Sequence, residues 1–407
     1  MTPWELNTDL SCPPIITRAL ALIEAGAPDG ASVAGRLGVD EHSLQHLFTA
    51  QVGTPMEAVA TMHRLSLARQ LLDATSLSLV DLADVAGFSS LQHFNEAFQT
   101  IFKHPPGSRR SDRSGETGRL HEIRLLLPYQ PPYDWPAMLT FLRARAISGI
   151  ETVVNGVYQR SFDLQGVTGA LSVEPGATDA LQVTIRSAAR PPLLQLLARV
   201  RAQFDLAADP QRIASQLGRH ALLAPLIQAR PGLRLPGSWD GFELAVRAVL
   251  NQQITTAGAI RIAGKLVQQF GTPVAEPLAP GLTHLFPTAT RLAEAELSAL
   301  GLPGARRAAL KGVAGLLAAQ PELLALHAER ESALAALRAI PGIGDWTAQY
   351  IALRGLRDTD AFPAGDVVLR KALSRLTGIE CDQRQAKAFA EAWRPSRGYA
   401  AQYLWGL

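Results

Sequence analysis

Ile340-Pro-Gly-Ile-Gly-Asp-Trp-Thr-Ala-Gln-Tyr-Ile-Ala-Leu-Arg354, followed by Ala361-Phe-Pro-Ala-Gly-Asp366, is the stretch on which the reading of this 407-residue chain turns. Apolar spacing predicts a helix over residues 334–340. Pro341-Gly342-Ile343-Gly344 then forces a tight turn, and a second helix begins near Trp346. Two helices joined by a glycine hairpin present backbone N–H groups at a helix N-terminus, where they can hold a phosphate without reading base sequence. Pro341, Gly342, Ile343, Gly344 and Thr347 are therefore candidate phosphate contacts. Alone, a Pro-Gly-Ile-Gly is more often an ordinary corner between helices. An Asp placed just ahead of Val367-Val-Leu-Arg-Lys-Ala372 is, in the same way, usually a helix cap.

Working outward, residues 196–407 keep a helical period broken by Gly and Pro. Residues 118–195 change period: stretches at 120–127, 154–164, 171–173 and 181–185 alternate in twos, with a turn at Pro175-Gly-Ala-Thr-Asp179. Residues 135–147 and 192–204 read as helices on that sheet. Residues 12–110 are again helical, with apolar positions three and four apart through 16–22, 33–37, 44–48, 56–72 and 79–102. The Pro/Gly/Ser-rich segment from Pro105 to Gly115 has linker composition, and 111–117 is taken as the linker. The expectation is a multidomain, mainly α chain with one small α+β domain.

Composition narrows the class. Hydrophobic residues make up 47% and charged residues 18%, which fits a folded chain and not a disordered one. No apolar run approaches bilayer thickness, and the first residues lack the pattern of a signal peptide. Two cysteines, Cys12 and Cys381, exclude a disulfide framework and a four-cysteine metal site built by this chain alone. A cytoplasmic, nucleoid-associated protein is the expectation. The net charge of +3 is unevenly spread: through Arg113 there are 8 Lys/Arg against 12 Asp/Glu, and beyond it 31 against 24. The larger part is the one suited to a phosphate backbone.

The hairpin is not alone. With Asp366 about twenty residues beyond it, the segment resembles the helix-hairpin-helix glycosylase superfamily. Residues 118–407 are similar to the bacterial 3-methyladenine-DNA glycosylase II family (AlkA type). The likeness rests on Pro131-Pro-Tyr-Asp-Trp135, Phe141-Leu-Arg-Ala-Arg-Ala146, Glu151-Thr-Val153 and Gly232-Leu-Arg-Leu-Pro-Gly237. Phe242-Glu-Leu-Ala-Val-Arg-Ala-Val-Leu-Asn-Gln252 and Arg397-Gly-Tyr-Ala-Ala-Gln-Tyr-Leu-Trp405 follow in the same order. The resemblance implies a TATA-binding-protein-like α+β domain at 118–195 and an all-α helix-hairpin-helix glycosylase domain at 196–407. It makes Asp366 the catalytic carboxylate and places Trp346, Tyr350 and Trp405 around a base pocket.

The chemistry suits those residue types. Breaking the glycosidic bond builds positive charge on the sugar, which a nearby anion in a dry site stabilises. An N-alkylated purine is already cationic and leaves neutral, so one carboxylate suffices where sugar hydrolases need two. A stacked base must first be flipped out, and a cationic base binds well between electron-rich rings. Trp346 occupies the position at which bifunctional relatives carry a lysine, so no amine is available to cut the strand. Gln253 occupies the place of the family's apolar wedge, and either Gln252 or Gln253 is expected to plug the gap left by the flipped base. Asp345, beside the phosphate-binding turn, departs from the basic or neutral residue of the family and is expected to weaken DNA binding.

Residues 12–110 resemble the AraC-type DNA-binding domain, with two helix-turn-helix units turning at Gly38 and Gly87. The likeness implies recognition-helix roles for Ser43, Gln45, His46, Ser90, Gln92 and His93 in successive major grooves, although the acidic balance offers few phosphate contacts. The pairing resembles bacterial Ada–AlkA fusions, without their methyl-accepting zinc domain. No metal site and no cofactor is expected, and a monovalent cation at the hairpin carbonyls is left open. The expected partners are duplex DNA containing alkylated bases and, through the N-terminal domain, promoter DNA. The competing reading is an AraC-family regulator of the alkylation response whose C-terminal half senses damage without cutting.

Overall fold

A computed structural model of the chain describes residues 13–75, 77–109, 121–274 and 279–407. The linker expected at 111–117 and Cys12 lie outside them. Six helices come first: α1 (Pro14–Glu24), α2 (Gly30–Leu37), α3 (Glu41–Val52), α4 (Met56–Ala74), α5 (Leu79–Val85) and α6 (Leu91–Phe102). Side-chain caps fix the starts of the helices after each turn. Asp40 accepts from Ser43 N–H at α3, and Ser90 accepts from His93 N–H at α6. Gly38 and Gly87 adopt φ of 69° and 83°, so the two turns use the freedom of glycine where a side chain would strain the backbone. Ile16, Leu22, Val33, Leu44, Phe48 and Met56 form one core. Phe88, Phe94 and Phe98 pack edge to face 5.3 and 5.5 Å apart in a second.

The α+β segment holds β1 (His121–Pro128), α7 (Trp135–Arg143), β2 (Glu151–Val154), β3 (Val157–Leu164), β4 (Val167–Pro175), β5 (Ala180–Ser187) and α8 (Leu193–Gln203). The strands hydrogen-bond in the order β1-β5-β4-β3-β2. Glu151 faces Arg160 across β2 and β3, and Pro175 faces Leu181 across the β4–β5 hairpin. Two expectations change here. β2 was not anticipated as a strand, because its four residues are too few to show an alternation. The helix expected to run to Ile147 ends at Arg143, because the Ile147 N–H donates to the Glu151 carboxylate at 3.1 Å instead of continuing the helical ladder.

Helices follow: α9 (Pro210–Leu217), α10 (Ala224–Ala229), α11 (Gly241–Leu250), α12 (Thr256–Phe270), α13 (Ala289–Glu294), α14 (Gly304–Ala319), α15 (Arg330–Arg338), α16 (Asp345–Arg354), α17 (Val367–Thr377), α18 (Gln383–Glu391) and α19 (Arg397–Leu404). One core gathers Leu223, Leu353, Leu369, Trp393 and Tyr399. A second gathers Val249, Leu266, Leu310 and Ile351.

Contacts divide the chain into two compact units. One holds the described residues up to 127 with 162–176 and 181–199; the other holds 128–161, 177–180 and 200–407. Within the first, Arg190, just beyond β5, pairs with Asp81 of α5 at 2.6 Å, and the Gln70 amide oxygen of α4 accepts from Leu126 N–H of β1. Among the described residues, no helix is long and apolar enough to cross a membrane.

Candidate active site and nucleic-acid interface

The hairpin forms as the sequence predicts. α15 ends at Arg338, Gly342 turns the chain with φ 91°, and α16 starts at Asp345. A Cβ on Gly342 would sit 3.2 Å from Ala309 Cβ, so the turn is also a close approach to α14. No side chain caps α16, and its first amides are left to an outside acceptor. Pro341, Gly342 and Gly344 are exposed, while the Ile343 side chain is buried and anchors the turn. Thr347 is 2% exposed, and its hydroxyl accepts from the Gln252 amide at 3.1 Å, so it meets the interface only through Gln252. Asp345 forms an ion pair with Arg338 at 2.5 Å, which offsets the negative charge that it brings to the hairpin turn.

Gln252 and Gln253 part company. The Gln252 amide donates to Gly342 O at 3.0 Å as well as to Thr347, fastening this loop to the hairpin. Gln253 is exposed at φ 56°, a left-handed conformation that costs a non-glycine residue energy, and it stands at the tip between α11 and α12.

Asp366 caps α17. Its Oδ1 accepts from the backbone N–H of Val368 and Leu369 at 2.9 and 3.0 Å. The same carboxylate also accepts from two indoles: Trp346 Nε1 donates to Oδ2 at 2.8 Å and Trp405 Nε1 to Oδ1 at 3.2 Å. Among the described residues no cation pairs with Asp366. It is half-buried and fixed by four N–H donors. Trp346 and Tyr350, one helical turn apart on α16, lie with ring centroids 5.4 Å apart and planes 14° from parallel. Trp405 stands edge-on to Tyr350 at 6.4 Å. The carboxylate and the three rings named from the sequence are thus brought together, and all three rings are partly open.

Sequence reasoning missed the groups behind these rings. Phe141 and Arg145 of the α7 region, with Arg354 of α16, line a cavity with Tyr350. Below it, Glu151, Arg160, Glu243 and Arg247 form a buried ion cluster: Arg247 joins Glu151 and Glu243 at 2.5 and 2.6 Å, and Arg160 joins Glu243 at 2.9 Å. Burial pushes the Glu243 carboxyl up, yet Arg160 and Arg247 outweigh it and hold the carboxyl down at about 2. The motifs around Phe141, Glu151 and Phe242 were visible in the sequence, but nothing in their spacing showed that the charges would meet.

In the N-terminal unit, Ser43, His46, Ser90, Gln92 and His93 are exposed and Gln45 is half-buried. Ser90 serves as the cap of α6, Gln45 donates to Glu57 at 2.6 Å, and Gln92 donates to Glu96 at 2.9 Å. These two glutamines are held by acids on their own domain, which places negative charge on the faces proposed to meet DNA.

The comparisons with known proteins agree with this geometry. Residues 124–240 match the AlkA N-terminal domain, residues 246–397 the HhH-GPD superfamily base excision DNA repair protein, and residues 33–112 a helix-turn-helix domain. The chain is 35% identical over 409 aligned residues to the probable bifunctional transcriptional activator/DNA repair enzyme AlkA of Mycobacterium tuberculosis, covering 99% of this chain and 81% of that protein. It is 37% identical over 284 residues to DNA-3-methyladenine glycosylase 2 of Escherichia coli, covering 69% and 95%. The 3-methyladenine DNA-glycosylase structure from Archaeoglobus fulgidus shares the fold, with a TM-score of 0.61 at 23% identity over 69% of this chain and 96% of that one. The chain belongs to the AlkA family of helix-hairpin-helix DNA glycosylases, joined here to an N-terminal AraC-type helix-turn-helix domain.

Proposed function

We propose that this protein is a monofunctional glycosylase that hydrolyses the bond between deoxyribose and an alkylated purine, such as 3-methyladenine or 7-methylguanine, in duplex DNA. The observation that carries the reading is Asp366, a fixed carboxylate with no counter-cation among the described residues, beside three partly open aromatic rings. The hairpin amides hold the backbone and Gln253 fills the stack while the damaged nucleotide turns into the ring-lined pocket. The C1′–N bond then breaks with its electron pair leaving on the base, which departs neutral because the alkylated purine was cationic. Asp366 faces the positive sugar, and water attacks C1′ and gives up its proton through the same carboxylate. Trp346 offers no amine, so the product is an intact strand with an abasic site. Water is the nucleophile, and the reaction needs no cofactor.

Incubating the protein with methylated duplex tests this. Free 3-methyladenine and 7-methylguanine are expected in solution, with strands intact until alkali is added. Strand breaks without alkali that vanish in Asp366→Asn would refute monofunctionality. Equal lack of release by wild type and Asp366→Asn would refute the enzyme itself.

The helix-turn-helix domain supports a second role in binding undamaged or promoter DNA, favoured by the exposure of His46 and His93. Changing both to Ala should lower affinity for undamaged duplex in a gel shift and leave base release unchanged.

A further inference from the structure

Tyr350 stacks on Trp346 and also lines a cavity with Arg145 and Arg354. The Arg354 guanidinium lies 5.3 Å from the Tyr350 ring centroid. Both guanidinium groups also lie on Phe141, 4.0 and 4.5 Å from its ring centroid. These residues line a cavity of about 80 Å³, too large for a single water. Glu151 and Glu243 line it too, but Arg160 and Arg247 occupy them. Among the described residues neither Arg145 nor Arg354 has an ion-pair partner. Arg354 is 3% exposed. It spends its two terminal nitrogens on Pro236 O and Gln402 Oε1, and its Nε is buried with no acceptor. Gln203, 3% exposed on the same cavity, has an amide oxygen with no donor. Burial pushes the Tyr350 phenol up, yet Arg354 and Arg145 pull it below its ordinary value, and burial brings Arg354 down to about 10. Two guanidinium groups with no ion-pair partner among the described residues thus face the cavity that Tyr350 shares with Phe141.

We infer that Arg145, with the Tyr350 phenol and Arg354 behind it, activates uncharged leaving bases by receiving the negative charge that builds on them as the glycosidic bond breaks. The inference rests on the base pocket proposed above and adds a role on the side away from the sugar. When a neutral base such as hypoxanthine leaves, the electron pair of the C1′–N bond passes to the base and spreads onto its carbonyl oxygen. C1′ becomes cationic and bonds to a water oxygen, whose proton leaves through Asp366. The anionic base takes its proton from solvent on release. Guanidinium donors aimed at that carbonyl stabilise the transition state more than the ground state. A cationic base loses its positive charge in the same step and leaves neutral, so the arginines have no anion to hold. They oppose its binding and are relieved as the charge moves to the sugar, leaving kcat/KM nearly unchanged. Arg247 donates to Arg145 O at 2.7 Å and so fixes this segment from the buried ion cluster.

The test measures base release by the full chain from duplexes carrying a single hypoxanthine or a single 7-methylguanine. Wild type, Arg145→Lys, Arg145→Met and Trp346→Ala are compared. Arg145→Met should lose about 100-fold in kcat/KM on hypoxanthine, the usual effect of removing one donor from a developing anion, and change by less than about threefold on 7-methylguanine. Arg145→Lys should recover roughly tenfold of the hypoxanthine loss, because the charge returns without the planar fork. A thermal melt by circular dichroism close to that of wild type reports that each variant is folded. Equal losses on both lesions, no loss on either, or no release of hypoxanthine by wild type would overturn the inference. Undiminished activity of Trp346→Ala on both lesions would instead overturn the base pocket on which it rests.

Discussion

Two sets of carboxylates in the catalytic unit have opposite surroundings. Glu151 and Glu243 are buried, and Arg160 and Arg247 meet both of them. Asp366 is half-buried and, among the described residues, is met only by N–H dipoles, two from the backbone of α17 and two from indoles. Burial without a counter-charge is costly, so the inner acids have been neutralised by arginines. Asp366 can stay unneutralised because it keeps some solvent and because four donors fix its orientation. On the function proposed above, that difference separates a structural carboxylate from a reactive one. A neutralised acid has little field left for a developing cation, whereas an acid held by dipoles retains it.

The comparison breaks most sharply at Asp366. Asp366→Asn keeps an oxygen to cap α17 and should melt close to wild type, while single-turnover base release falls by about 1,000-fold or more. At Glu243 the effects should reverse. Glu243→Gln leaves Arg160 and Arg247 short of one negative charge in a buried site and should cost about 3–5 kcal/mol in denaturant unfolding, with release per folded molecule within a fewfold of wild type.

A pH titration sharpens the same contrast. Glu243 is held down at about 2 against an ordinary 4.5. The unfolded chain therefore binds the proton first, and the stability due to this group is full above the ordinary value and lost as pH falls from there toward 2. Unfolding free energy measured across that window should drop in wild type and drop less in Glu243→Gln. A smaller effect is expected for Trp346→Phe, which removes one donor to Asp366 while keeping a ring. Release should slow by about tenfold, the worth of one hydrogen bond to a charged group. Smallest of all, Arg338→Ala unmasks Asp345 at the hairpin and should weaken DNA binding by about threefold at low salt, less at high salt.

What the sequence revealed follows physical range. The hairpin was legible because Pro341, Gly342 and Gly344 act on their own backbone, and Gly342 does turn with positive φ. Asp366, Trp346, Tyr350 and Trp405 were legible through family resemblance, and the structure adds that both indoles donate to the carboxylate. The meeting of Arg145 and Arg354 was not legible. Arg145 and Arg354 are 209 positions apart in the chain, and only the fold lays both on Phe141. The same holds for Arg160 and Glu243, whose pairing spans 83 positions. Thr347 and Gln252 sat in the right stretch, but the structure turns them toward each other and leaves Gln253 at the tip.

On the function proposed above, Asp366 presents its charge to the sugar with no counter-cation among the described residues. The most direct measurement is binding to duplexes carrying either a neutral abasic-site analogue or a cationic pyrrolidine in place of the sugar ring. Wild type should prefer the cationic analogue by about 100-fold or more, and Asp366→Asn should bind the two alike. Equal affinity of wild type for both, or a preference that survives in Asp366→Asn, would contradict the account.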